Sequence, residues 1–259
     1  MGKNVEQDNK PNFLKDLNNG ILDELTAGGR IKNAVGLAGE VTELEEVSDI
    51  CGLPFSGYLG KIETPRPSGI IDEVVIAFEK NTPFQYDGME FDILREFAKG
   101  SRLLLSGKVQ TLKEFKSGRV LVFVLADFVE LSPKAMRQND VALVGELVFK
   151  PRRRETPRGK RITDIFVKVQ NELTDGTCYI PCICWQEQAD EVAGWQQGDT
   201  VELLGRYQSR EYRKTTEMIY TVDQLTPTRT TAERKTEIRT AYEVSVQQIR
   251  RKEEAENGK

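Results

Sequence analysis

Apolar and polar residues alternate most regularly between Cys178 and Tyr212, where CYIPCICW is followed by QEQADEVAGW, a Gly198-Asp199 turn and VELLGRYQSREY. The first segment, rich in β-branched, aromatic and small apolar residues, predicts a strand. Apolar residues at Ala189, Val192, Ala193 and Trp195 predict a short helix, and the third segment predicts a second strand. Gly198-Asp199 ends the helix and turns the chain. Alternation places Tyr179, Ile183 and Trp185 on one face of the first strand and Ile180, Cys182 and Cys184 on the other. On the second, Val201 and Leu203 face a core, while Arg206, Gln208, Arg210 and Tyr212 take the opposite parity. Gly205 lies between the two sets, at the corner of a strongly bent strand. Rings and guanidinium groups on one outer surface are the combination that stacked bases with phosphates alongside require.

The same plan occurs upstream in a worn form. NAVGLAGEV (33–41) matches NDVALVGEL (139–147) at Asn, Val, Leu, Gly and Glu. IDEVVIAFEK (71–80) takes the place of CYIPCICWQ, which sets Phe78 opposite Trp185. A helical piece follows at 91–98, and then RLLLSGKVQ aligns with TVELLGRYQ, pairing Gly107 with Gly205 and Gln110 with Gln208. RVLVFVLADFVEL closes the first unit and EMIYTVDQLTP the second. A repeat of about 100 residues implies two domains rather than a solenoid.

The expected boundaries are 1–32 for an N-terminal extension, 33–131 for the first unit, 132–138 for a short linker, 139–227 for the second unit and 228–259 for a charged C-terminal segment. Phe13, Leu14, Leu17, Ile21, Leu22 and Leu25 predict an amphipathic helix in the N-terminal extension. Ile238, Tyr242, Val246 and Ile249 predict a docked helix in the C-terminal one. The two units differ in charge. The first clusters Glu43, Glu45, Glu46 and Asp49, and has Glu114 where the second has Tyr212. It is therefore expected to bind nucleic acid weakly and to serve as architecture or as a partner surface.

Charged residues at 30% and apolar residues at 38% of 259 describe a globular chain long enough to bury a core without disulfides. No apolar run approaches the length of a membrane span, and MGKNVEQDNKPNF lacks the apolar core of a signal peptide, so a cytoplasmic protein without membrane contact is expected. Cys51, Cys178, Cys182 and Cys184 form no CxxC pair and no histidine is present, which predicts buried reduced thiols and neither metal nor cofactor. GxxxxGK[ST], GxGxxG and GxSxG motifs are absent as well, which argues against an enzyme.

A net charge of −4 argues against a polyanionic partner, but local charge is what attracts a strand. KPRRRETPRGKR (150–161) carries Arg152, Arg153, Arg154, Arg158, Lys160 and Arg161 against Glu155 alone, in what reads as the first hairpin of the second unit. Arg206, Arg210, Arg213 and Lys214 stand against Glu211. These ten side chains are the candidate phosphate contacts.

YIPCICWQEQADEVAGWQQGD with VELLGRYQSREY resembles the most recognisable block of the bacterial single-stranded DNA-binding protein family, an OB-fold family. NDVALVGELVF resembles its opening strand and TPRGKRITDIFVKV its second, so the resemblance spans Asn139 to about Pro227. It implies a mainly β protein of two tandem OB-folds, each a five-stranded Greek-key barrel, with short helices and helical terminal extensions. The family's stacking positions map onto Tyr179, Trp185 and Tyr212, with Phe78 as a lesser candidate. Leu173 stands where an aromatic is usual, and Trp195 and Tyr207 are expected to pack inside.

The resemblance further implies sequence-tolerant, non-catalytic binding and protection of single-stranded DNA in replication, repair, recombination or plasmid and phage maintenance. It also implies a homodimer supplying four OB-folds, replication or recombination proteins as partners, and a nucleoid location. The chain ends ENGK where the family shows an acidic, apolar-tipped tail, as expected of a divergent form. Two other readings of the residues stay open: an OB-fold adaptor that mainly binds proteins, and an RNA-binding OB module.

Overall fold

Two rounds of strands close on themselves in the computed structural model, which describes residues 32–83, 93–132, 137–221 and 230–252, the side chains of 218–233 excepted. The first round comprises β1 (Asn33–Ile50), β2 (Leu53–Pro65), β3 (Ile71–Glu79), the one-turn helix α1 (Ile93–Glu96), β4 (Arg102–Lys113) and β5 (Val120–Leu131). The second comprises β6 (Gln138–Leu147), β7 (Arg152–Glu155), β8 (Arg161–Gln170), β9 (Thr177–Trp185), α2 (Glu187–Val192), β10 (Thr200–Thr221) and β11 (Thr230–Arg251). Alternating burial explains the strands. On β9, Cys178, Ile180, Cys182 and Cys184 are sealed in the core, while Tyr179 is exposed and Trp185 half-buried.

Barrel one closes in the order β1-β2-β3-β5-β4 and barrel two in the order β6-β8-β9-β11-β10, with β7 extending the sheet from β8. Each contains one parallel pairing, β3 with β5 and β9 with β11, and all other ladders are antiparallel. Both barrels are OB-folds. They join through an antiparallel β1–β6 ladder in which Asn33 faces Leu143, Leu37 faces Asn139 and Val35 faces Val141. This register is unchanged when the two strands are exchanged, so the barrels are related by a local two-fold axis near Val35 and Val141.

The repeat extends to side chains. Asn33 donates to the Val109 carbonyl at 2.7 Å and accepts from the Val109 amide at 3.0 Å, while Asn139 makes the same two bonds to Tyr207, each at 2.8 Å. The ladder slips at Ser106/Gly107 in barrel one and at Leu204/Gly205 in barrel two. Only glycine fits this slip, because a Cβ would stand 2.2 Å from the Leu125 carbonyl oxygen at Gly107 and 2.5 Å from that of Ser245 at Gly205. Gln110 and Gln208 are both buried. The expected pairings of Gly107 with Gly205 and of Gln110 with Gln208 are thus seen in the strand register.

The structure corrects one reading of the C-terminal segment. Residues 230–251 form a strand, β11, rather than a docked helix, and it is this strand that closes barrel two, pairing Val244 with Cys182 and Ser245 with Ile183. The helical spacing of Ile238, Tyr242, Val246 and Ile249 was incidental. Ile238 is exposed on an arm, and the strand's buried positions are Glu243 to Val246. The expected N-terminal helix and most of the linker lie outside the described residues.

Beyond barrel two, β10 and β11 continue as a long paired arm that leans on barrel one. Asp72, with no exposed side chain, holds Arg66 through Nε at 2.6 Å, Arg206 at 3.4 Å and the Ser209 amide at 2.9 Å. The Ser209 hydroxyl accepts from the Glu73 amide at 2.8 Å. The local two-fold repeats this contact with different atoms. The Thr111 amide meets Cys178 Sγ at 3.2 Å, and the Tyr179 amide donates to Thr111 Oγ1 at 3.2 Å.

Candidate nucleic-acid interface

Barrel two presents an outer face built from β8, β9 and the turn after β6. Phe166 projects outward because Ile165 and Val167 on either side of it point into the core. Phe149 should by alternation point inward with Leu143 and Leu147. The strand, however, ends at Leu147, and beyond it the Val148 amide still donates to the Phe166 carbonyl at 2.9 Å. In the bend past the strand end Phe149 turns outward, 58% exposed and edge-on to Phe166, with ring centroids 6.0 Å apart. Lys168 lies across from Tyr179, which is 47% exposed. Further along β9, Trp185 is half-buried and its indole donates to the Ser245 hydroxyl at 3.1 Å, which orients the ring at the edge of the same face.

Tyr179 and Tyr212 are thus open to solvent and Trp185 partly so, but no ring contact joins the three. Tyr179 and Trp185 are six residues apart on one strand, about 20 Å. Tyr212 stands out on the arm, 37% exposed, with the Arg210 guanidinium 5.9 Å above its ring. Phe149 and Phe166 are the rings that the sequence reading missed. The alternation in ITDIFVKV carries the signal for Phe166, whereas Phe149 depends on where β6 ends, which no residue pattern announces.

Phe78 is a correction. Its side chain is fully buried, stacked on Tyr58 at 5.2 Å and edge-on to Phe97 at 6.1 Å, so it is core and not ligand surface. Aligning strands by their ladders instead of by sequence shifts the match by one residue. Gly57 pairs with Glu79 where Ile162 pairs with Trp185, so the counterpart of Trp185 is Glu79, and that of Phe78 is the buried Cys184. Trp195 and Tyr207 pack inside, and the Tyr207 hydroxyl donates to the Val122 carbonyl at 2.7 Å. Leu173 packs against the cluster around Phe55 and Phe123 of barrel one.

The candidate cations divide by what already holds them. Arg206 is tied to buried Asp72 and also donates to Gln208 at 3.2 Å. Burial and the nearby Arg66 depress its pKa, so it is a bolt between the barrels rather than a phosphate contact. Arg210 pairs with the mostly buried Glu243 at 2.8 Å. Arg154 is gripped by Asp164 through two hydrogen bonds, of 2.5 and 2.9 Å, which raise its pKa above the usual arginine value.

Arg153 and Arg161 share Asp190 at 3.0 and 2.5 Å, and both are well exposed. Such surface pairs are worth about 0–1 kcal/mol each, so a phosphate competes for these arginines at little cost. Arg152, Arg158, Lys160, Arg213 and Lys214 form no ion pair among the described residues. The β7–β8 hairpin therefore brings Arg152, Arg153, Arg158, Lys160 and Arg161 to the end of the ring-bearing sheet, while Arg213 and Lys214 lie on the arm. Burial raises the thiols of Cys178, Cys182 and Cys184, the last to about 12, so they are inert packing groups behind this face.

Comparison with known proteins agrees with this geometry. Residues 138–251 match the model of the single-strand binding protein family. The single-stranded DNA-binding protein A of Bacillus subtilis (strain 168) is 32% identical over 80 residues, which cover 29% of this chain and 46% of that protein. The chain thus spans under half the length of this curated relative. Two crystal structures of the single-stranded DNA-binding protein from Thermus aquaticus share the fold. The wild type has a TM-score of 0.59 at 16% identity, over 88% of this chain and 96% of that one, and a deletion mutant has a TM-score of 0.55 at 21% identity, over 86% and 95%. The segment that matches the single-strand binding protein family is barrel two, from the start of β6 to the end of β11, the strand that closes it.

Proposed function

We propose that the protein binds single-stranded DNA without reading its sequence, by stacking bases on the outer rings of barrel two and neutralising phosphates with the arginines and lysines of the β7–β8 hairpin. The observation that carries this reading is the open face on which Phe149, Phe166, Tyr179 and Lys168 lie together, with Trp185 at its edge. Every base has a π-face, so rings give affinity with little preference, and each stacked base contributes about 1–3 kcal/mol. Phosphate contacts supply the rest and make binding fall with salt. No bond is made or broken in this function. It consists of covering a strand so that it neither re-pairs nor is cut, a role suited to replication, repair or recombination.

The test is quenching of Trp185 fluorescence by oligo-dT at two salt concentrations, beside Phe166→Ala and Tyr179→Ala variants. Each variant is expected to bind about tenfold more weakly or worse, as loss of one stacked base implies, with its thermal midpoint little changed. Unchanged affinity in both would overturn the role of the face. An equal-length RNA that bound more tightly than oligo-dT would turn the proposal toward an RNA module.

A further inference from the structure

We infer that only one of the two barrels takes the strand: barrel one keeps the shape of the binding face and inverts its chemistry. The inference rests on barrel two being the DNA-binding barrel.

Ladder registers fix which positions correspond. Leu147 faces Val167 as Val41 faces Ile62, so Phe149 and Phe166 correspond to Glu43 and Lys61. Lys168 across from Tyr179 corresponds to Glu63 across from Glu73, and Trp185 corresponds to Glu79. Arg152 and Arg153, opposite Asp164 and Thr163, correspond to Glu45 and Glu46, opposite Leu59 and Tyr58. At six positions a ring or a cation of barrel two is therefore a glutamate in barrel one, and the remaining ring, Phe166, is Lys61.

Barrel one uses several of these groups internally. Lys61 bridges Glu43 at 3.5 Å and Glu73 at 3.4 Å, Lys80 pairs with Glu46, and the Tyr242 hydroxyl of the arm donates to Glu73. The carboxylates outside these pairs, Glu45, Glu63 and Glu79, are exposed and carry negative charge where a phosphate chain would run, and among the described residues β1, β2 and β3 hold no exposed ring. Like charges in apposition oppose docking, and without stacking nothing offsets them. The face that became acidic is also the one on which the arm rests. Barrel one has thus exchanged a ligand for a structural partner.

The experiment uses the full chain and oligo-dT of about 12 nucleotides, a length suited to one OB-fold. Titration at protein concentrations far above Kd is expected to saturate at one oligonucleotide per chain. Two per chain would overturn the inference and leave DNA binding intact. The triple variant Phe149→Ala, Phe166→Ala and Tyr179→Ala is expected to lose at least 100-fold in affinity at all sites. Retention of sites of undiminished affinity would place a second binding face on barrel one and overturn the inference. Because that variant could lose structure, the pair Glu63→Lys and Glu79→Lys, both exposed, supplies an independent readout. Affinity equal to or above the parent supports the inference, and a tenfold loss contradicts it by placing these carboxylates in the site. A parent chain that bound no oligo-dT would remove the function itself, a result distinct from all of these.

Discussion

Barrel one and barrel two are alike where the backbone makes demands and unlike where it makes none. Both use an asparagine on the first strand to clasp the fourth, a glycine where the ladder slips and a buried glutamine beyond it. Each of these groups answers a fixed backbone donor, acceptor or close approach, and an unmet one costs about 1–3 kcal/mol. Outward positions such as Phe149 and Glu43, or Tyr179 and Glu73, carry no such obligation. They exchange rings for carboxylates while the strand registers around them still correspond. A duplicated fold can therefore keep its frame while one copy gives up the surface chemistry of the other.

The barrel–barrel contact lies between these extremes, because its hydrogen bonds recur while its charges do not. Asp72 and Cys178 occupy equivalent places and each accepts from a backbone amide, yet Asp72 also gathers two arginines. A buried carboxylate needs those partners, whereas a thiol held in its neutral form by burial does not. The largest expected effect follows from this asymmetry. Asp72→Ala strands Arg66 and Arg206 and loosens the arm, at a cost of about 3 kcal/mol, while Cys178→Ala costs about 1 kcal/mol, both read from denaturant melts. Equal costs would show that the charges do not tie the arm down.

A smaller effect sharpens the likeness. Asn33→Ala and Asn139→Ala each remove the same two hydrogen bonds, so each is expected to cost about 1–2 kcal/mol, and the two values should agree closely. A clear difference in melting between the variants would show that the clasps are equivalent in geometry only.

Much of this was legible in the residues. The alternation on β9, the repeat of NAVGLAGEV as NDVALVGEL and the matched glycines read directly into strands, duplication and slip sites. β11 was not legible, because Ile238, Tyr242, Val246 and Ile249 fall at helical intervals in a segment whose strand character comes from pairing with β10 over its whole length. Phe78 was misplaced by one residue, which on a strand exchanges ligand face for core. Arg206 read as a phosphate contact because its partner, Asp72, lies in the other barrel. Charge runs show where cations are, but not which carboxylates already hold them.

Hydrogen–deuterium exchange of the full chain with and without oligo-dT compares the two faces most directly. The account predicts slowed exchange across 148–185, the β7–β8 hairpin and β9, with no change across the equivalent 43–79 of barrel one. Equal protection of both segments would contradict it.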